Sequence, residues 1–170
     1  MMYGLTGTPG VGKTEIGALL AKEGYPVLCL TDTVRHYILN RDEERDSWIV
    51  DIDRWAMDFQ KFDGFVEGHI AHYLPCDRII ILRCRPDRLM QRLMDRGYKQ
   101  AKVKENCEAE ALDLILQEVV ENFPPSIIFE VDTTDSPPES SRDKILAFIR
   151  GELPPSFGEN DWIEYCEVSN

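Results

Sequence analysis

Long apolar runs are missing from this 170-residue sequence. Nothing in it approaches the roughly 18 to 20 consecutive apolar residues that a membrane-spanning helix needs. The opening MMYGLTGTPG lacks a basic leader, an extended apolar stretch and a cleavage signal, so no secretory peptide is expected. Basic residues are scarce, with 19 Lys and Arg against 31 Asp and Glu and a net charge of −12. That balance argues against a broad nucleic-acid face, which needs clustered positive charge. The five cysteines, Cys29, Cys76, Cys84, Cys107 and Cys166, form no Cys-x-x-Cys pair, and the three histidines add no ligand-like spacing. A zinc site is therefore not expected. An odd cysteine count without a secretion signal points to free thiols in a reducing cytoplasm. Internal repeats and long linkers are absent as well.

What is present suits one globular domain: hydrophobic residues make up 43% and charged residues 29%. The charge is uneven. Residues 1–100 hold 14 basic and 15 acidic side chains, and residues 101–170 hold 5 and 16, a net of −11. This skew reads either as a solvated surface or as a docking face for a basic protein.

Apolar β-type runs alternate with helical stretches. Strands are expected at Met2–Thr6, Pro26–Leu30, Gly64–Glu67, Arg78–Arg83 and Ser126–Val131. The unbroken Ile79–Leu82 and Ile127–Phe129 runs suit parallel strands buried on both faces. Helices are expected near Lys13–Glu23, Asp32–Leu39, Asp53–Lys61, Pro86–Arg96, Val103–Asn122 and Arg142–Arg150. The alternation predicts a three-layer α/β domain. Ser136–Ser141 reads as a loop, and Glu152–Gly158 ends the last helix. The tail that follows, with Trp162 and Tyr165 among acids, is either a mobile arm or a segment packed by its aromatics.

The most specific signal is Gly7-Thr8-Pro9-Gly10-Val11-Gly12-Lys13-Thr14, which fits G-x-x-x-x-G-K-[ST] between a strand and a helix. Glycines let backbone N–H groups close around an anion, and the following helix adds its positive end. Lys13 supplies a point charge for the β- and γ-phosphates, and Thr14 a hydroxyl for magnesium. This loop fixes the phosphoryl donor but not the acceptor.

A carboxylate at the end of an apolar strand is the expected companion, and Phe65-Val66-Glu67 provides one, followed by Gly68-His69. Glu67 either holds magnesium or caps the next element. His69 either contacts a phosphate or nucleophile or is a structural polar group. Arginines crowd the next segment, and Arg88, Arg92 and Arg96 share one helix face at i, i+4, i+8. A guanidinium fork suits a transferring phosphoryl group, whereas Asp87 and Asp95 offer surface partners instead. After the second strand, Asp32 can cap a helix whose first turn presents Arg35 to a second phosphate.

GTPGVGKT, FVEGH, LPCDRIIILR and RLMDRGYKQAKVKENCEAEALD together resemble the adenylate kinase isoenzyme 6 family over about residues 2–150. The resemblance implies an α/β P-loop nucleoside monophosphate kinase fold with a five-stranded parallel sheet and helices on both faces. It implies a kinase-like domain over 1–150, an AMP-binding region near 30–53, a lid near 95–105 and an acidic, proline-containing tail over 151–170. By position, Gly7, Gly10, Gly12, Lys13, Thr14, Glu15 and Arg96 would contact ATP. Asp32 and Arg35 would meet AMP, and Thr14 and Glu67 would hold Mg2+. Lys13, Glu67, His69, Arg92 and Arg96 would serve the chemistry. Glu67 stands where the family usually has aspartate, and Glu15 replaces a threonine. The implied activity is ATP + AMP to 2 ADP, with breadth toward other nucleoside monophosphates and accompanying ATPase activity. The family is also implicated in small ribosomal subunit maturation, through an S-eleven-type platform protein and the pre-30S particle. A nucleotide-gated binding ATPase and a small-metabolite kinase are the alternatives.

Overall fold

The computed structural model describes residues 1–43 and 47–169, with the side chains of all but 167–169. Residues 44–46, inside the expected AMP-binding region, and residue 170 of the tail lie outside the described residues.

Strands β1 (Met2–Thr6), β2 (Val27–Cys29), β5 (Gly64–Glu67), β6 (Arg78–Arg83) and β7 (Ile128–Asp132) form a five-stranded sheet ordered β2-β5-β1-β6-β7. Every pairing in it is parallel. Alternating side chains divide between two faces, as the pleat requires. Leu5, Phe65, Ile80 and Leu82 belong to one apolar cluster, and Met2, Val66, Ile79 and Ile81 to the other. Ile79, Ile80, Ile81 and Leu82 are fully buried, the pattern that the unbroken apolar run predicts.

Helices α1 (Lys13–Lys22), α3 (Pro86–Asp95), α4 (Gln100–Ala111) and α6 (Pro138–Ile149) cover the first face. They contribute Ile16 and Leu20, Leu89 and Leu93, Val103 and Cys107, and Ile145 and Phe148. Helices α2 (Ile52–Asp58) and α5 (Leu114–Asn122) cover the second with Trp55, Leu116 and Val119. This is the P-loop nucleoside monophosphate kinase architecture. Because β1 is central and its neighbours β5 and β6 lead to opposite halves of the sheet, β1 ends at the topological switch point, where such sheets bind ligands.

Three elements differ from the sequence expectation. Asp32–Leu39 is not a helix: two 3-10 turns, Leu30–Asp32 and Arg35–Tyr37, lead into an antiparallel hairpin of β3 (Ile38–Asp42) and β4 (Ser47–Val50). Thr33 and Val34 keep helical backbone angles, but the chain turns extended at Ile38, a β-branched residue that opens β3, so the turns never lengthen into a helix. The expected helix at Val103–Asn122 is two, because Asp113 takes a left-handed conformation, φ +56°, between α4 and α5. Finally, α6 starts at Pro138 rather than Arg142, since proline at the first helical position loses no intrahelical bond.

The tail packs on the body. Glu130 N donates to Ser156 O at 2.8 Å along the edge of β7. Trp162 is buried, and the Arg83 guanidinium lies 5.0 Å from its ring centroid. Among the described residues, no helix is long and apolar enough to cross a membrane.

Candidate active site

Gly7, Gly10 and Gly12 have φ of 142°, 96° and 110°, so the loop between β1 and α1 follows a path that L side chains resist. Space forbids side chains at two of them. A Cβ at Gly7 would lie 2.4 Å from Leu82 O, and one at Gly10 would lie 2.8 Å from Leu89 Cδ1. Lys13 folds back over the loop, donating to Gly7 O at 2.6 Å and Thr8 O at 3.0 Å. Burial lowers its pKa to about 8, an effect that the Glu67 and Glu110 carboxylates oppose and Arg96 adds to. This half-buried cation gains from a phosphate partner.

Glu67 ends β5, 5% exposed and in register with Leu5 and Cys29. Thr14 Oγ1 donates to Glu67 Oε1 at 3.4 Å, although these residues lie on different elements. A hydroxyl and a carboxylate beside a phosphate loop form an all-oxygen donor pair, the type that magnesium takes together with phosphate and water. The two residues therefore suit that ion.

His69 follows on the next loop. It is an exposed residue, yet partial desolvation by the surrounding protein lowers its pKa, with Lys13 and His72 adding to the effect. The ring is neutral at pH 7. Behind it lies a pair that sequence reasoning missed. His72 is buried, with Nε2 2.7 Å from Glu118 Oε2 and Nδ1 3.0 Å from Thr6 Oγ1. His72 follows His69 by three residues, a spacing without meaning until α5 brings up Glu118.

Arg92 and Arg96 both line a cleft of about 210 Å³ that also borders Gly10, Gly12 and Glu15. Arg92 is half-buried and donates to Thr133 O at 2.7 Å and Thr134 O at 3.1 Å, whereas Arg96 is exposed. Arg88 points elsewhere and pairs with Asp135 at 3.5 Å. Thr133, Ser136, Pro138 and Ser141 also line the cleft; the sequence expectation covers the last three only as part of a loop and assigns Thr133 nothing. The usable signal was position: Thr133 follows the carboxyl end of a buried parallel strand. Its hydroxyl lies 2.8 Å from Val11 O, joining this lining to the phosphate loop.

Asp32 and Arg35 lie apart from this cleft, beyond β2. They form an exposed ion pair at 2.7 Å, just after the carboxyl end of β2.

The AAA domain family matches residues 4–113. The chain is 40% identical over 168 residues to a Natronomonas pharaonis protein named "Putative adenylate kinase", covering 97% of this chain and 99% of that one. It is 38% identical over 175 residues to a protein of the same name from Methanococcus maripaludis, covering 96% of each. Solved structures share the fold at low identity. A deoxyadenosine kinase from M. mycoides with dCMP and dCDP has a TM-score of 0.60 at 14% identity, covering 90% of this chain and 100% of that one. The YorR protein of Bacillus subtilis, in complex with phosphorylated GDP, has a TM-score of 0.60 at 13% identity, covering 89% and 97%. The chain belongs to the family of these archaeal proteins, as the sequence resemblance implies.

Proposed function

We propose that this member of the archaeal adenylate kinase family is an ATP:AMP phosphotransferase. The observation that carries the reading is the cleft in which Arg92 and Arg96 border Gly10 and Gly12, the positive-φ glycines of the phosphate loop. In this mechanism the loop N–H groups enclose the β-phosphate, and Lys13 exchanges two carbonyl partners for phosphate oxygens. Thr14 and Glu67 would hold Mg2+, which would supply positive charge against the polyphosphate. Arg35 leaves its surface pair with Asp32 and binds the acceptor phosphate. An AMP phosphate oxygen attacks the γ-phosphorus in line, the bond to the β-bridging oxygen breaks, and two ADP result. Arg92 and Arg96 offset charge on the transferring group, and a single arginine in this role is worth about 10³–10⁵ in rate. Neutral His69 donates a hydrogen bond to a phosphate oxygen or orients the attacking group. Closure of the 95–105 segment excludes water.

Transfer from ATP labelled at the γ-phosphorus tests this directly. With AMP present, label appears in ADP; label appearing only as free phosphate, whatever the acceptor, overturns the kinase reading. A second reading draws on the −11 charge of residues 101–170. In it the protein is an ATPase of small-subunit maturation that captures a basic platform ribosomal protein and the pre-30S particle. Its signature is nucleotide-dependent capture of that protein with negligible transfer to AMP.

A further inference from the structure

Thr8 is the second residue of the phosphate loop, yet its side chain does not face the cleft. It is 3% exposed, and its hydroxyl donates to Glu110 Oε2 at 2.5 Å. Glu110 belongs to α4, is also 3% exposed, and lies 102 residues away in the chain. Its other oxygen accepts from Arg83 Nε at 2.8 Å and from Cys84 N at 2.9 Å, where β6 ends. One buried carboxylate thus holds the phosphate loop, the end of β6 and Arg83 together. Two further carboxylates, Glu130 and Asp113, pair with that arginine.

Such a bond is more than buried pairing, because of where it acts. Lys13 must leave Gly7 O and Thr8 O when phosphate arrives, so the loop needs an anchor that does not depend on the lysine. The Thr8 hydroxyl supplies it, and the anchor is on α4, which follows directly on the 96–99 turn that carries Arg96. We infer that Glu110 is a positioning residue for nucleotide binding: through Thr8 it fixes the path of the phosphate loop and ties that loop to α4. The inference rests on the phosphate loop binding ATP, as proposed above.

Replacing Glu110 by alanine would strip Arg83 of a buried partner and risk the fold. Thr8 is the cleaner probe, with Glu110→Gln beside it. Glutamine can accept from Arg83 and Cys84 through its oxygen and donate to Thr8 through its amide. The measurements are the ATP Kd by calorimetry, KM for ATP and kcat, with thermal unfolding on each variant. A hydrogen bond to a buried charged group is worth about 10- to 100-fold if its loss falls on nucleotide affinity. Thr8→Val is therefore expected to raise Kd and KM for ATP by about tenfold or more, with kcat at saturating ATP within about threefold. Thr8→Ser and Glu110→Gln should recover most of that affinity. Thr8→Val binding ATP like wild type overturns the inference, as does a lowered melting temperature with unchanged Kd. Failure of the wild-type protein to bind ATP overturns the functional reading itself, so the two failures are distinguishable.

Discussion

Half-buried Lys13 is charged at neutral pH, and raising the pH tests its role. Its ordinary value of 10.5 is lowered to about 8 in the free protein. Between those values the unfolded chain binds more protons than the folded one. The contribution of this group to stability therefore rises from pH 8 toward 10.5, and below pH 8 its burial penalty is fully felt. Phosphate reverses the balance by favouring the ammonium form. ATP binding at about pH 9 should take up a large fraction of one proton, and at about pH 6.5 none through this group. Calorimetry in two buffers of different ionisation enthalpy reads that uptake, and equal uptake at both pH values would contradict the assignment. Glu67 makes a second case. Glu67→Gln keeps an acceptor for Thr14 but loses the charge that magnesium needs, so magnesium affinity should fall about 10- to 100-fold with little change in melting temperature. An unchanged magnesium dependence would remove Glu67 from the metal site. The sequence made the phosphate-loop residues legible because their spacing is local. His72, Glu118 and Thr133 carried no such pattern, since their partners come from distant elements.

At the scale of elements, Asp113 shows how one residue redirects a helix. Leu112, Ile115, Leu116, Val119 and Val120 recur at helical spacing, which hides the break. The break exists because Asp113 takes a left-handed conformation and its carboxylate pairs with Arg83, a buried cation that no local pattern predicts. Asp113→Gly should lose the ion pair but tolerate the backbone. Asp113→Ala should lose the pair and add strain, so it should be less stable than the glycine variant by about 1 kcal/mol. Urea unfolding of both decides this, and an alanine variant as stable as the glycine one would show that the backbone carries no strain. The buried strands were readable for the opposite reason. Strands covered on both faces must be continuously apolar, so Ile79–Leu82 announces itself. The β3–β4 hairpin has no such requirement: Leu39, Trp48 and Ile49 are exposed, and no alternation marks it.

Across the whole molecule, the tail closes the fold instead of leaving it. It runs along β7, the edge strand of the sheet, and places Trp162 against Arg83, the residue that also binds Glu110. Composition left both a packed and a free tail open, because an indole among acids is compatible with either. Trp162→Ala should lower unfolding free energy by about 3–5 kcal/mol, the range for a buried aromatic. Denaturant unfolding that matches wild type would show the tail to be an ornament on the domain. The function proposed for the molecule rests on one claim, that the loop at the carboxyl end of β1 encloses a polyphosphate. The most direct measurement is calorimetric titration of ATP with magnesium into wild-type protein and Lys13→Ala. The account predicts saturable, magnesium-dependent binding that the substitution weakens by about 100-fold or more, the loss of a charged phosphate contact in a buried site. Absence of binding to the wild type, or equal binding by both proteins, would contradict it.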